Sequence, residues 1–171
     1  MEEFTHERLE GSYSEGEALT IYNEVKANGN FALFTRQFMG DSDYQVARNA
    51  LWAMTKATDQ EIRQLQPLLD ELIDLALTTG NSSVRRLSLT VAYRLELKEE
   101  DLRTDLLDFC LEHMTDFNEL PGIQSICMKF AYRISAFYPE LMGELLRILE
   151  GMDIEYYKPA VKSVRSRILK A

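Results

Sequence analysis

Very little in this 171-residue chain is equipped for chemistry. It has two histidines, His6 and His113, two cysteines, Cys110 and Cys127, and a single tryptophan, Trp52. Two histidines leave little material for a metal centre or for His-based catalysis. Two cysteines cannot make the disulfide framework of a small secreted domain. There is no C-x-x-C, no H-E-x-x-H, no P-loop and no G-x-G-x-x-G. No apolar run reaches the ~20 residues that span a bilayer. The opening MEEFTHERLE is acidic, where a signal peptide would be basic and then apolar. The expectation is a protein of the reducing cytoplasm, with no cofactor, no metal and no membrane partner. Prolines number only four, and Pro67, Pro121, Pro139 and Pro159 all fit early helical turns or connectors. Strand alternation is also missing.

What remains is helical. Hydrophobic residues make up 46% of the chain and charged residues 27%, with a net charge of −9. That is an ordinary balance for a folded domain, and the length suffices for one core. Apolar residues recur at spacings of three and four. Breaks fall at Asn28-Gly29, Gly40-Asp41-Ser42, Gly80-Asn81-Ser82, Phe117-Asn118 and Gly151-Met152-Asp153. The reading is a flexible acidic arm over 1–13, then a single domain over 14–171. It opens with a helix near 14–27. Four pairs follow: 30–39 with 43–57, 61–79 with 82–97, 101–115 with 121–136, and 138–151 with 156–170.

The pairs repeat. VRRLSLTVAYRL at 84–95 returns as IQSICMKFAYRI at 123–134, a shift of 39. LLDELIDLAL at 68–77 returns as LRTDLLDFCL at 102–111, a shift of 34, the difference being absorbed by a longer connection around Phe117–Leu120. Val84 and Ile123 continue to Val161, and Ala47 aligns with Val84. Constant shifts inside helices and unequal shifts in loops are the signature of a solenoid, in which each unit buries a face against the next. NSSVRRLSL, with a polar turn, Val84-Arg85 and a small Ser88, resembles the second helix of a HEAT repeat. Asp43 to Arg48 resembles it less closely, with one extra residue before the arginine. The third unit lacks both the Asp and the Arg, and the fourth has Val161-Lys162. The resemblance to HEAT or armadillo-like repeats covers about 140 residues. It implies an all-α, right-handed α-α superhelix of about four pairs, used as a scaffold, with second helices lining a concave side.

Charge is segregated along this repeat. The second helices and their flanks hold 13 of the 19 basic residues against only Asp43, Glu96 and Glu155, a local +10 that leaves −19 for the remainder. Helical phase places Val84, Leu87, Ser88, Val91 and Leu95 inward and Arg86, Leu89, Thr90 and Tyr93 opposite. The matching outward positions are Asn49, Trp52, Ala53 and Lys56; then Ser125, Met128, Lys129 and Tyr132; then Ser163, Ser166, Arg167 and Lys170. Aromatics among cations suit stacking and cation–π contacts. Some of these cations, Arg94, Lys98 and Lys170 among them, also complement helix C-terminal dipoles.

Catalytic material does not assemble. Cys110 aligns with Ala76 and Leu149, and Cys127 with Ser88, which reads both as core fillers. His113 ends a helix, where its dipole suits a protonated ring. The HEAT-like DNA glycosylases resemble this chain in fold and basic concavity, but they need an Asp on that surface and none stands among the outward positions. A fumarase-type Gly-Ser-Ser-x-Met-Pro loop has only Gly80-Asn81-Ser82-Ser83-Val84 as a counterpart. The functional expectation is therefore a non-enzymatic module or scaffold that binds a protein or peptide. Its binding residues would be Trp52, Lys56, Arg86, Tyr93, Lys129, Tyr132, Arg167 and Lys170. A nucleic-acid or other anionic ligand in the same groove is the alternative.

Overall fold

A computed structural model describes residues 6–11 and 13–171, and among these every regular element is helical. The chain forms two compact units, Met1–Glu96 and Leu97–Ala171. No helix among the described residues is long and apolar enough to cross a membrane.

In the first unit, α1 (His6–Leu9) and α2 (Glu15–Asn28) precede α3 (Phe31–Phe38) and α4 (Tyr44–Met54), then α5 (Asp59–Ile62), α6 (Leu69–Thr78) and α7 (Ser82–Tyr93). Polar side chains start these helices by accepting a backbone N–H of the first turn. Ser14, Asn30, Asp43 and Asn81 do so for α2, α3, α4 and α7, and Thr58 and Glu61 form a reciprocal capping box on α5. Gly29 ends α2 at φ +76°, a left-handed conformation, and its N–H reaches Val25 and Lys26 carbonyls. The helix expected over 61–79 is divided. Pro67 has no N–H to give, and Arg63–Leu68 tightens into a 3-10 turn before α6 begins.

The second unit contains α8 (Thr104–Met114), α9 (Pro121–Ser135), α10 (Pro139–Glu150) and α11 (Pro159–Lys170), with 3-10 turns at Glu99–Asp101 and Ile154–Tyr156. Three of these helices open on proline, whose fixed φ suits a first turn where the N–H is unpaired anyway. The expected pairs are thus present, with ends shifted by a few residues.

Packing follows the repeat. α7 lies against α6 and α4, and α9 lies against α8, α10 and α11. Val84, Leu87, Ser88, Val91 and Leu95 are buried, and so are their counterparts Ile123, Ile126, Cys127, Phe130 and Ile134. Each large apolar side chain removed from water in this way contributes roughly 1.5–3 kcal/mol before entropy is counted. Leu89 and Met128, expected to face outward, are fully buried as well. Each stands on a helix with neighbours on more than one side, so its apolar sector is wider than a single stripe. Cys110 and Cys127 are unbonded thiols in the core, and burial pushes the Cys110 thiol well above its ordinary pKa. The thiol contact between them adds to that effect.

Of the expected flexible arm, residues 1–5 and 12 lie outside the described residues. His6–Gly11 is packed on the first unit. Leu9 is fully buried, and the Asn49 amide donates to the Leu9 carbonyl at 2.8 Å and the Gly11 carbonyl at 3.0 Å. Arg8 pairs with Glu24, and the His6 ring lies 2.8 Å from Glu10 and 3.0 Å from Asp41.

Candidate functional site

The basic side chains of the second helices divide by task. One group satisfies main-chain carbonyls left over at the ends of first helices, which would otherwise lack partners. Arg85 donates from Nε to the Ala76 carbonyl at 2.9 Å and from Nη2 to the Thr79 carbonyl at 2.6 Å. Gln124, its counterpart at a shift of 39, donates to the Asp116 carbonyl at 2.6 Å. The third unit therefore keeps the function of the missing arginine with a neutral amide. In the fourth, Lys162 occupies the aligned position and is exposed, while Arg165, one turn further on, donates to the Leu149 carbonyl at 2.7 Å. Arg94 clamps the segment after α4, reaching the carbonyls of Thr55 at 3.1 Å and Ala57 at 2.7 Å and the Asp59 carboxylate at 3.1 Å.

The outward strip of α4 is also spent internally. Asn49 and Ala53 are fully buried. Trp52 is half-buried, and its indole N–H donates to Glu15 Oε2 at 3.0 Å. The other oxygen of the same carboxylate pairs with the Lys56 ammonium. One acid at the start of α2 thus engages two of the eight residues expected to bind a ligand. On α7, Arg86 is exposed and Tyr93 half-buried on the same face, two turns apart.

The second unit presents the remainder. On α9, Lys129 and Tyr132 are half-buried and share a face with Ser125. On α11, Lys162, Ser163, Arg167 and Lys170 are exposed, and Lys158 is exposed just before it. No acidic residue occurs between Pro159 and Lys170. Among the described residues, no ion pair or side-chain hydrogen bond engages Lys158, Lys162, Arg167 or Lys170. The expected site residues accordingly form separate pairs: Trp52 with Lys56, Arg86 with Tyr93, Lys129 with Tyr132, and Arg167 with Lys170. The first pair is occupied and the last is open.

Shifted titrating groups occur at other residues. The Tyr22 hydroxyl and the Thr58 N–H hold the Glu61 carboxyl down at about 2, and Lys26 lies 3.2 Å away. Burial and that carboxylate push Tyr22 up to about 12. His6 is raised above its ordinary value by Asp41 first and Glu10 second. Each of these arrangements ties elements of the first unit together. Among the described residues, no three His, Cys, Asp or Glu side chains gather in a way that would hold a metal ion.

Sequence reasoning missed Glu15, Asn49, Gln124 and Arg165 as working residues. Asn49 was read as an outward position, whereas it is buried and its amide holds two carbonyls. Glu15 carried none, because its contacts join positions 37 and 41 residues away across loops.

Compared with known proteins, residues 5–171 match the family model of the HEAT repeat domain. No curated protein and no solved structure matches the chain.

Proposed function

The chain belongs to the HEAT repeat domain family, and from that premise we propose that it is a protein-interaction module that holds an acidic segment of a partner on the outward face of α11 and the neighbouring α9. The observation that carries this reading is α11. In a chain of net charge −9, one helix and its flank present Lys158, Lys162, Arg167 and Lys170 to solvent with no acid among them. Such a patch raises the local concentration of anionic partners although the whole molecule repels them. Lys129 and Tyr132 lie on α9, which packs against α11, and they offer a cation and an aromatic edge beside it. Arg86 and Tyr93 make a smaller pair of the same kind on α7. Hydroxyls at Ser163 and Ser166 supply hydrogen bonds to a main chain. No part of this arrangement calls for bond-breaking chemistry.

The test is a titration of the full chain with a fluorescein-labelled decaglutamate peptide at 50 and 200 mM salt. Saturable binding should weaken with salt and fall at least tenfold in the double variant Arg167→Glu/Lys170→Glu. No binding at 1 mM peptide, or binding indifferent to the double variant, overturns the proposal. Duplex and single-stranded DNA are run in parallel. Tighter binding of DNA with a steep salt slope would replace the protein partner with a nucleic acid.

A further inference from the structure

Part of the outward surface of α4 is covered, and what covers it is informative. The occupant belongs to this chain: Leu9–Gly11, ahead of α2, and Glu15 at its start. Its hold on α4 uses three kinds of contact. Leu9 supplies a fully buried apolar anchor. The Leu9 and Gly11 carbonyls both accept from the buried Asn49 amide, a recognition of main chain that any sequence can satisfy. The Glu15 carboxylate then bridges the Trp52 indole and the Lys56 ammonium, a pair of donors, one of them charged, that favours an acid.

We propose that Asn49, Trp52 and Lys56 form a peptide-docking site that the chain fills with its own segment, and that an acidic segment of a partner competes for it. This rests on the reading of the protein as an interaction module, and it names a second site and a control on it. The self-segment defines the ligand chemistry: an apolar residue, main-chain carbonyls at and two residues beyond it, and a carboxylate further along. Because the occupant belongs to the same chain, its effective concentration is of the order of mM. A partner segment of modest affinity is held off until that internal contact loosens.

Trp52 is the sole tryptophan, so its fluorescence reports the occupant directly. In the full chain, Glu15→Lys sets a cation against Lys56 and should red-shift Trp52 emission. Leu9→Ser/Glu15→Lys, which also removes the apolar anchor, should shift it further. The probe is a synthetic peptide copying residues 6–18, HERLEGSYSEGEA. Added to either variant, it should reverse the shift saturably, at least tenfold more tightly than it acts on the unaltered chain. Adding Lys56→Ala should abolish the reversal. Arg167→Glu/Lys170→Glu should leave it intact, which separates this site from the α11 face. If neither variant shifts the emission, the segment is a fixed part of the fold and the proposal is overturned. It is overturned equally if the peptide has no effect on a shifted variant, or acts equally once Lys56→Ala is added. Sedimentation at two concentrations covers the remaining occupant. A concentration-dependent dimer would assign the site to the segment of a second copy and overturn the partner reading.

Discussion

The two units are built from the same repeat, yet they spend their polar residues differently. In the first, caps are side chains of Ser, Asn, Asp and Thr, and the outward residues of α4 are bonded to the chain itself. In the second, three helices start on proline, and the cations of α11 face solvent. Aligned positions make the contrast concrete. Arg85 and Lys162 match across the repeat, but Arg85 closes two carbonyls and Lys162 closes none. A basic residue at a repeat position therefore does not by itself indicate a binding surface. The deciding factor is whether unpaired carbonyls or carboxylates lie within its reach.

The contrast can be tested by substitution. The largest effect should come from Asn49→Leu, which leaves the Leu9 carbonyl without its donor and the Gly11 carbonyl with only the longer contact from Arg48. A loss of about 2–3 kcal/mol is expected in urea unfolding. A loss under ~0.5 kcal/mol would mean that the arm contacts contribute little. Next come Arg85→Ala and Arg165→Ala, at about 1.5–3 kcal/mol each for a charged donor to carbonyls. Lys162→Ala should stay within ~0.5 kcal/mol. Equal losses at Arg85 and Lys162 would erase the distinction between the units.

Two pH effects are smaller and belong to the first unit. Glu61 has a folded pKa of about 2, below its ordinary 4.5. Its contribution is therefore present above pH ~4.5 and is lost as pH falls through about 2. Tyr22→Phe removes the largest cause, and carboxyl NMR titration should then show Glu61 returning toward its ordinary value. His6 acts in the opposite sense. Its pKa is raised above 6.5 by Asp41 and Glu10. The stabilisation is full below pH ~6.5 and fades as pH rises through the folded value. The smallest effect is therefore faster amide exchange at residues 6–11 on going from pH 5.5 to 8, after correction for the intrinsic rate. His6→Ala should flatten that corrected change.

Much of the fold was legible because a solenoid writes its architecture as periodicity. The 39-residue shift located the helices, their buried faces and both core cysteines. Two local readings fell short for identifiable reasons. Pro67 divided an expected helix because its missing N–H acts at one residue, below the resolution of an apolar pattern. Leu89 and Met128 were assigned outward because one phase angle describes one buried stripe, whereas α7 and α9 are packed on more than one side. The exposure of Arg167 and Lys170 was readable from phase alone.

The sequence by itself determined the helices, their pairing and the segregation of charge, because propensity, capping and apolar spacing are local. The tertiary structure alone decided which of those charges are spent. Hydrogen bonds such as Glu15 to Trp52 or Arg94 to Ala57 join residues 37 apart. No local pattern encodes such a meeting, because it exists only once packing has brought two distant segments within about 3 Å of each other.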